Sequence, residues 1–449
     1  MTQPIRLHPE NPHYFLWRDK PTVLITSTEH YGAVLNRAFD YRSYLASLAS
    51  YGFNLTRTFS GAYCEAIGSF NIRDNDLAPA AGNLLCPWAR SETPGYANGG
   101  NKFDLEKWDP AYFERLADFV AEAGKRDIVV EYVPFCTFYE GPMWGLSPMN
   151  AANNINGIGD MPRERVHTLE DAALTAVQEA MVRKVVTELN GFDNLYYEIC
   201  NEPYIGHIVT DAWQAHMSQV IADTEAPLPN KHLIAQNIAN RSQEIVDPDP
   251  RVSLFNFHYA KPPTAVTANY HLERPIADDE TGFAGSEPEA YRLEGWDFLM
   301  AGGAVYDNLD YSFTVGHEDG SAGPQVPGGG GPVLHRQLQI LHEFMRSLDF
   351  IHMEPDNSVL VEVASVGEDA AEVTARALVQ PGRTYAVYLR GGSQARLALG
   401  LPAGEYRAEW VNTKTGQVDG KQQFQHAGGA RELVSPAYEA DIALRVQAI

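Results

Sequence analysis

Between residues 22 and 350, short β-branched or aromatic runs alternate with stretches whose apolar positions recur at helical spacing. Eight runs predict strands: 22–27 (TVLITS), 53–59 (FNLTRTF), 128–135 (IVVEYVPF), 195–200 (LYYEIC), 232–238 (HLIAQNI), 253–259 (SLFNFHY), 275–280 (PIADDE) and 304–313 (AVYDNLDYSF). Helical spacing over 41–50, 110–125, 170–190, 212–224, 288–300 and 333–348 predicts the crossovers. The connections between strands five, six and seven are shorter. Eight strands with mostly helical crossovers are the arithmetic of an α/β fold, a (β/α)8 TIM barrel. A doubly wound sheet is the competitor, but no Gly-rich dinucleotide loop follows the first strand, so the barrel is preferred.

From residue 354 the pattern shortens to alternating strands broken by turn residues: SVLVEVASV, EVTARALVQ, RTYAVYLRG, ARLALGL, YRAEWVNTKTGQV and ADIALRVQAI. This predicts a small all-β domain, an antiparallel β-sandwich, over 353–449 behind a barrel over 1–352. Its aliphatic strands suit a brace packed on the barrel better than a glycan-binding face. The full length of 449 residues agrees, because one hydrophobic core stops growing well before that size.

Two long insertions follow strands two and three. Residues 61–108 and 136–168 are rich in Gly, Pro, Asn, Trp and Tyr, and both would sit on the face where barrel enzymes build their sites. Residues 316–332 (GHEDGSAGPQVPGGGGP) are either a mobile rim or a spacer before the last helix.

Charge narrows the partners. Thirty-four Lys and Arg against 58 Asp and Glu leave a net −24, a surface that repels phosphate backbones and anionic lipid. Nucleic acid and membrane are therefore not expected as partners, and a neutral carbohydrate substrate is. The four Cys show neither CxxC nor close pairing, so neither a disulfide framework nor a zinc signature is expected. No basic-then-apolar leader is visible at the start, and a cytoplasmic location is expected. No apolar run is long enough to span a bilayer.

The chemistry concentrates at two strand ends. Strand four runs into Asn201-Glu202-Pro203, and strand seven ends on Glu280. Two carboxyls facing each other across a barrel mouth are what glycoside hydrolysis needs, one as acid/base and one as nucleophile or base. The adjacent charge of Glu280 is expected to keep Glu202 protonated near neutral pH. No cofactor and no metal is required by this chemistry.

These residues carry a resemblance. Asn-Glu-Pro at strand four, a strand-seven Glu followed two places later by Gly, and Arg57 on strand two resemble the clan of retaining TIM-barrel glycoside hydrolases that includes family 5 cellulases and mannanases. The resemblance implies Glu202 as acid/base, Glu280 as nucleophile, Asn201 on the substrate 2-hydroxyl and Arg57 holding the nucleophile. His258 and Tyr259, ending FNFHY, look like the clan's His/Tyr support, although the common spacing is His-x-Tyr. The clan's strand-eight Trp platform is missing; AVYDNLDYSF offers Tyr306, Asp307, Asn308 and Tyr311 instead. The opening NPHYFLWRDKPTVLITSTEHYG and the late WVNTKTGQ are similar to an apiosidase-like group of bacterial barrel hydrolases with a C-terminal β-domain.

Other readings stay open for individual residues. Arg57 could simply neutralise Glu198, which shares strand parity with Glu202. Asp278 has the parity of Glu280 and Asp279 adjoins it, so either is a rival nucleophile. Glu29 and His30 end strand one as sugar-hydroxyl ligands or as a satisfied structural pair. Trp88 and Trp144 could stack on sugar faces or pack their own loops, and His317, Glu318 and Asp319 form a rim contact or only a polar loop. The expected activity is a retaining glycosidase, exo-acting on short oligosaccharides because long loops would close the pocket. Its rivals are a metal-dependent barrel hydrolase using His258, Asp278 and His30, and a noncatalytic glycan-binding barrel.

Overall fold

The computed structural model describes residues 3–323, 327–366 and 372–449, so residues 324–326 of the Gly-rich loop lie outside the described residues. Its centre is a parallel sheet of β1 (Leu24–Thr28), β2 (Leu55–Phe59), β3 (Val129–Val133), β4 (Leu195–Glu198), β5 (Ile234–Asn240), β6 (Leu254–His258), β7 (Ile276–Thr281) and β8 (Val305–Leu309). Neighbours follow chain order from β2 to β8, and β8 pairs back onto β1, as a (β/α)8 barrel requires. Most strand residues are buried, which is why the runs read as near-continuous apolar stretches.

The last seam, between β1 and β2, is crossed by two backbone bonds, Asn54 N to Ile25 O at 3.3 Å and Phe59 N to Tyr31 O at 3.0 Å, and by the Asn54 side chain. Asn54 Oδ1 accepts from Ile25 N at 2.9 Å and Asn54 Nδ2 donates to Val23 O at 2.8 Å. Its amide stands in for ladder bonds that the two strands do not make.

Around the sheet run α1 (Tyr41–Ser50), α2 (Pro110–Gly124), α3 (Ala172–Leu189), α4 (Asp211–Glu225), α5 (Thr264–Asn269), α6 (Pro288–Met300) and α7 (Pro332–Arg346). Their starts have plain causes. Asp40, Asp109, Asp171 and Thr210 each accept a backbone N–H from the first turn, and Pro opens α2, α6 and α7 where no N–H is needed. No helix separates β5 from β6, and only the six-residue α5 separates β6 from β7. The insertion after β2 forms a hairpin, Trp88–Pro94 with Asn101–Trp108, and the one after β3 holds a short helix, Gly141–Leu146.

The glycines at 328–330 are neither spacer nor free rim. A Cβ on Gly328 would meet Tyr311 at 2.2 Å, one on Gly329 would meet Tyr291 at 2.2 Å, and one on Gly330 would meet the Asp310 carboxylate at 1.7 Å. The run is glycine because its backbone is pressed onto β8 and α6.

The C-terminal sheet is antiparallel. It comprises β9 (Glu354–Pro355), β10 (Leu360–Ser365), β11 (Thr374–Gln380), β12 (Thr384–Arg390), β13 (Ala395–Val411), β14 (Val418–Val434) and β15 (Asp441–Ala448). The long β13 pairs with β10 over its first half, with β15 over its second and with β14 throughout, around a core that includes Leu397, Tyr406, Trp410 and Leu444. Against the barrel, Tyr388 of β12 stacks on Trp296 of α6 with centroids 5.6 Å apart. Buried Arg292 of α6 binds Asp441, Nη2 to Oδ1 at 2.8 Å.

Removing one partner of such a pair strands a buried charge, at a cost of about 3–5 kcal/mol. Asp441→Ala should therefore shift the urea midpoint sharply down, and Arg292→Met with Asp441→Leu should restore most of it. An unchanged midpoint in Asp441→Ala would show that the pair does not hold the two parts together.

Candidate active site

The site gathers at the C-terminal ends of the barrel strands, where the loops converge. A cavity of about 280 Å³ opens there, lined by His30, Tyr31, Asn201, Glu202, Tyr259 and Glu280, with Glu65, Phe70, Tyr139 and Phe283 from the loops. Four lining residues that follow strand ends hold a left-handed backbone without being glycine: Tyr31 (φ 56°), Glu202 (φ 46°), Tyr259 (φ 53°) and Phe283 (φ 56°). Each conformation is strained for an L-residue, and strain of this kind gathers at functional sites.

Glu202 is anchored from the neighbouring strand. Asn201 N donates to Phe135 O at 2.9 Å, Thr137 N donates to Asn201 O at 3.1 Å, and Thr137 Oγ1 donates to Glu202 O at 2.8 Å. Its carboxylate then accepts from Tyr139 OH at 2.6 Å and from Tyr204 OH at 3.3 Å. Glu280 accepts from Tyr259 OH and from Tyr31 OH, both at 2.9 Å, and from Arg57 Nη1 at 3.3 Å. His258 Nδ1 lies between the two, 3.1 Å from Glu202 Oε1 and 3.5 Å from Glu280 Oε1. One oxygen each of Glu202 and Glu280 and one ring nitrogen of His258 all lie within 4.8 Å of one another.

A β-bulge sorts the three acids of β7. Phe257 faces Asp278 but His258 faces Glu280, so Asp279 is the extra residue. Strict alternation would put Asp279 opposite to Glu280, yet Asp279 sits beneath it, 3.7 Å from Arg57 and bonded to Asn256 Nδ2 at 2.6 Å. Asp278 accepts from Ala260 N at 3.3 Å and is buried away from the cavity. Neither is placed as a nucleophile.

Arg57 serves both of its expected partners. Its Nη2 reaches Glu198 at 2.7 Å and Asn201 Oδ1 at 2.8 Å, while Nη1 takes the longer bond to Glu280. Arg57 and His258 are fully buried and are not among the residues that line the cavity, so they hold the carboxylates from below. Burial pushes Glu202 up, but the His258 hydrogen bond and charge, with the Tyr139 and Tyr204 hydroxyls, outweigh it and hold the carboxyl below its usual range. This corrects the expectation that Glu280 alone keeps Glu202 protonated: the imidazole between them favours the carboxylate.

Three other expected ligands are placed elsewhere. Glu29 accepts from Gly32 N at 2.8 Å and Ala33 N at 2.9 Å, fully buried in its own turn, where burial pushes it up to about 8. Trp88 is buried at the root of the hairpin, paired with Trp108. Trp144 donates to Met161 O at 2.8 Å and packs edge-on to Phe138. Both tryptophans build their loops, and the exposed aromatic side chains among those lining the cavity are Phe70 and Phe283, 39% and 45% exposed. Glu318 accepts from Asp40 N at 3.1 Å and Ser47 Oγ donates to Asp319 O at 3.2 Å, so that loop is tied to α1 and lines no part of the cavity. Tyr139, Tyr204 and Glu65 were not foreseen. Tyr204 follows Asn-Glu-Pro directly, which was a usable signal; Tyr139 and Glu65 lie in loops with no periodicity to place them.

Glu202, His258 and Glu280 could also hold a metal ion, as could Glu131, Glu198 and Asp279 beneath them. The upper trio differs from the His258, Asp278 and His30 set expected from the chain. Each carboxylate of the upper trio already has three donors, which supplies the compensation that a cation would otherwise bring. The four cysteines are free and buried. Among the described residues, no helix is long and apolar enough to cross a membrane.

No family profile and no curated protein sequence matches the chain. Solved structures do. A candidate glycoside hydrolase from Bacteroides vulgatus ATCC 8482 superposes with a TM-score of 0.69 at 14% identity, covering 100% of this chain and 83% of its own. A family 5 glycoside hydrolase from the same organism gives 0.66 at 13% identity over 99% of this chain and 93% of its own. A family 5 mannosidase from Rhizomucor miehei gives 0.51 at 10% identity over 77% and 99%. At these identities the likeness shows a shared fold.

The electrostatics of the trio can be read directly. In ¹³C-labelled protein, Glu202 should titrate below an ordinary Glu, and His258→Asn should move it upward by removing the group that holds it down. A Glu202 titration that does not move in this variant would show that His258 exerts no such control.

Proposed function

We propose that the chain is a retaining glycoside hydrolase of the two-glutamate kind, acting on the ends of short neutral glycosides. The observation that carries this is the pair itself. An oxygen of Glu202 and one of Glu280 approach within 4.8 Å at the mouth of a (β/α)8 barrel. That is near the about 5–5.5 Å of retaining pairs and short of the about 6.5–9.5 Å that leaves room for an inverting water. Fold-mates named as glycoside hydrolases, one a mannosidase, support the same reading.

In this mechanism Glu280 attacks the anomeric carbon. Tyr31, Tyr259 and Arg57 orient its carboxylate, and the long Arg57 bond leaves it nucleophilic. Glu202 delivers a proton to the leaving oxygen. His258 Nδ1, 3.1 Å from Glu202 Oε1, and the Tyr139 and Tyr204 hydroxyls orient this acid and favour the carboxylate that the second step needs as its base. Glu202 then takes a proton from the water that releases the sugar. Asn201, fixed by Arg57 on Oδ1 and donating to Tyr139 OH at 2.9 Å, faces the cavity as the 2-hydroxyl ligand. A cavity of about 280 Å³, walled by the β2 and β3 loops, supports exo-action.

Aryl glycosides of gluco, manno, xylo and arabinofurano configuration, with and without chelator, test this. Glu280→Gln should abolish turnover. Glu202→Gln should slow glycosides with poor leaving groups by about 10²–10⁴-fold and spare activated ones, with azide restoring rate as glycosyl azide. Equal losses on both substrate types, or turnover that chelator removes, would contradict the assignment and favour a metal bound by Glu202, His258 and Glu280.

A further inference from the structure

The cavity has a second polar wall that the reaction does not use. Glu65, on the loop after β2, is fixed through its backbone N–H to Leu77 O at 2.7 Å. Its carboxylate accepts from Tyr63 OH at 3.0 Å on Oε1 and from Asn75 Nδ2 at 2.6 Å on Oε2. His30 stands opposite, Nε2 to Glu65 Oε1 at 3.8 Å. Both side chains line the cavity with Glu202 and Glu280, at 4% and 8% exposure.

Hydrogen-bond accounting leaves this wall incomplete. An ionised carboxylate has about four acceptor sites, and protein donors fill two of them. His30 Nδ1 is buried without a partner, and so is the hydroxyl of Tyr311, whose ring meets His30 edge-on at 5.7 Å. A cavity wall whose buried carboxylate keeps open acceptor sites is built for a hydrogen-bonding ligand. Among the described residues, no Lys or Arg pairs with Glu65. Burial without a cation pushes Glu65 up to about 7 and His30 down to about 4.

We propose, on the glycosidase reading above, that Glu65 with His30 is the specificity-determining wall of the sugar subsite: the carboxylate accepts two hydrogen bonds from adjacent hydroxyls of an uncharged glycone and rejects glycones that carry a carboxylate. Rejection follows from charge. Glu65, Glu202 and Glu280 line one cavity, and Arg57 beneath them is already shared among Glu198, Asn201 and Glu280. A uronate would bring a further negative charge with no cation facing it.

Binding also acquires a sign in pH. Hydroxyl donors favour the ionised form of Glu65, so affinity rises with pH through the raised value and levels off above it; between pH 6 and pH 8 the gain is about tenfold. Calorimetry of the intact protein with glucose, mannose and xylose, and with glucuronate and mannuronate, tests this. At least one neutral sugar should bind with that pH dependence, and the uronates should not. Glu65→Gln should weaken the neutral sugar about tenfold at pH 8 and flatten its pH dependence, and in turnover it should raise KM with little change in kcat. Unaltered binding in Glu65→Gln, uronates binding as well as neutral sugars, or no neutral sugar binding at all would overturn the assignment. Glu280→Gln separates the two ideas, since it should keep sugar binding and lose hydrolysis. Neutral sugars that fail to bind a wild-type protein that still hydrolyses glycosides would sink only the Glu65 wall, and hydrolysis that survives Glu280→Gln would sink only the glycosidase.

Discussion

One guanidinium under the barrel mouth sets the terms for everything above it. Arg57, fully buried, lies within ion-pair reach of four carboxylates: Glu131, Glu198, Asp279 and Glu280. One positive charge cannot balance four negative ones in a low-dielectric interior, so protons must supply the difference. Burial pushes Glu131 and Asp279 well above the ordinary range, while the adjacent Arg57 outweighs burial and holds Glu198 below it. Glu198 is thus the carboxylate that Arg57 favours as its counter-ion, and Asn256 Nδ2 lies 2.6–2.8 Å from Glu131, Glu198 and Asp279. What remains of Arg57 for Glu280 is a single 3.3 Å bond. Glu280 is therefore held in place by a weak share of that charge, as the proposed nucleophile requires.

The layer above this ion cluster is built from hydroxyls. Tyr31, Tyr139, Tyr204 and Tyr259 all donate to the carboxylates of Glu202 and Glu280. Phenols orient a carboxylate and stabilise its charge without adding charge of their own. Strained backbone at Tyr31, Glu202 and Tyr259 aims these groups inward, and the buried shell beneath keeps the strain in place. His258 Nδ1 lies 3.1 Å from Glu202 and 3.5 Å from Glu280, bridging the two carboxylates.

Much of this was legible in the chain because barrel physics is local. Each of the eight strands is a buried run bounded by turns, and the helix starts announce themselves through Asp40, Asp109, Asp171 and Thr210. Asn201-Glu202 and Glu280 were legible because strand ends in a barrel share one face. Parity misled at β7, where Asp279 bulges and a period-2 reading cannot see the extra residue. Glu29 failed because the chain leaves β1 in a turn that consumes its carboxylate with backbone N–H groups. Trp88 and Trp144 failed because a large aromatic ring in a long insertion is first of all the insertion's own core. Glu65 was invisible for the opposite reason: its role comes from Tyr63, Asn75 and His30 meeting it in space.

The most direct test of the pair at the centre of the site is to trap the covalent intermediate. Activated 2-deoxy-2-fluoro glycosides of gluco and manno configuration slow both steps, and a good leaving group lets the first outrun the second. Mass spectrometry of digested protein should then find one glycosyl adduct, on the peptide carrying Glu280, and none in Glu280→Gln. An adduct on Asp278, Asp279 or Glu202, or turnover of the parent glycosides with no adduct anywhere, would contradict a double displacement through Glu280.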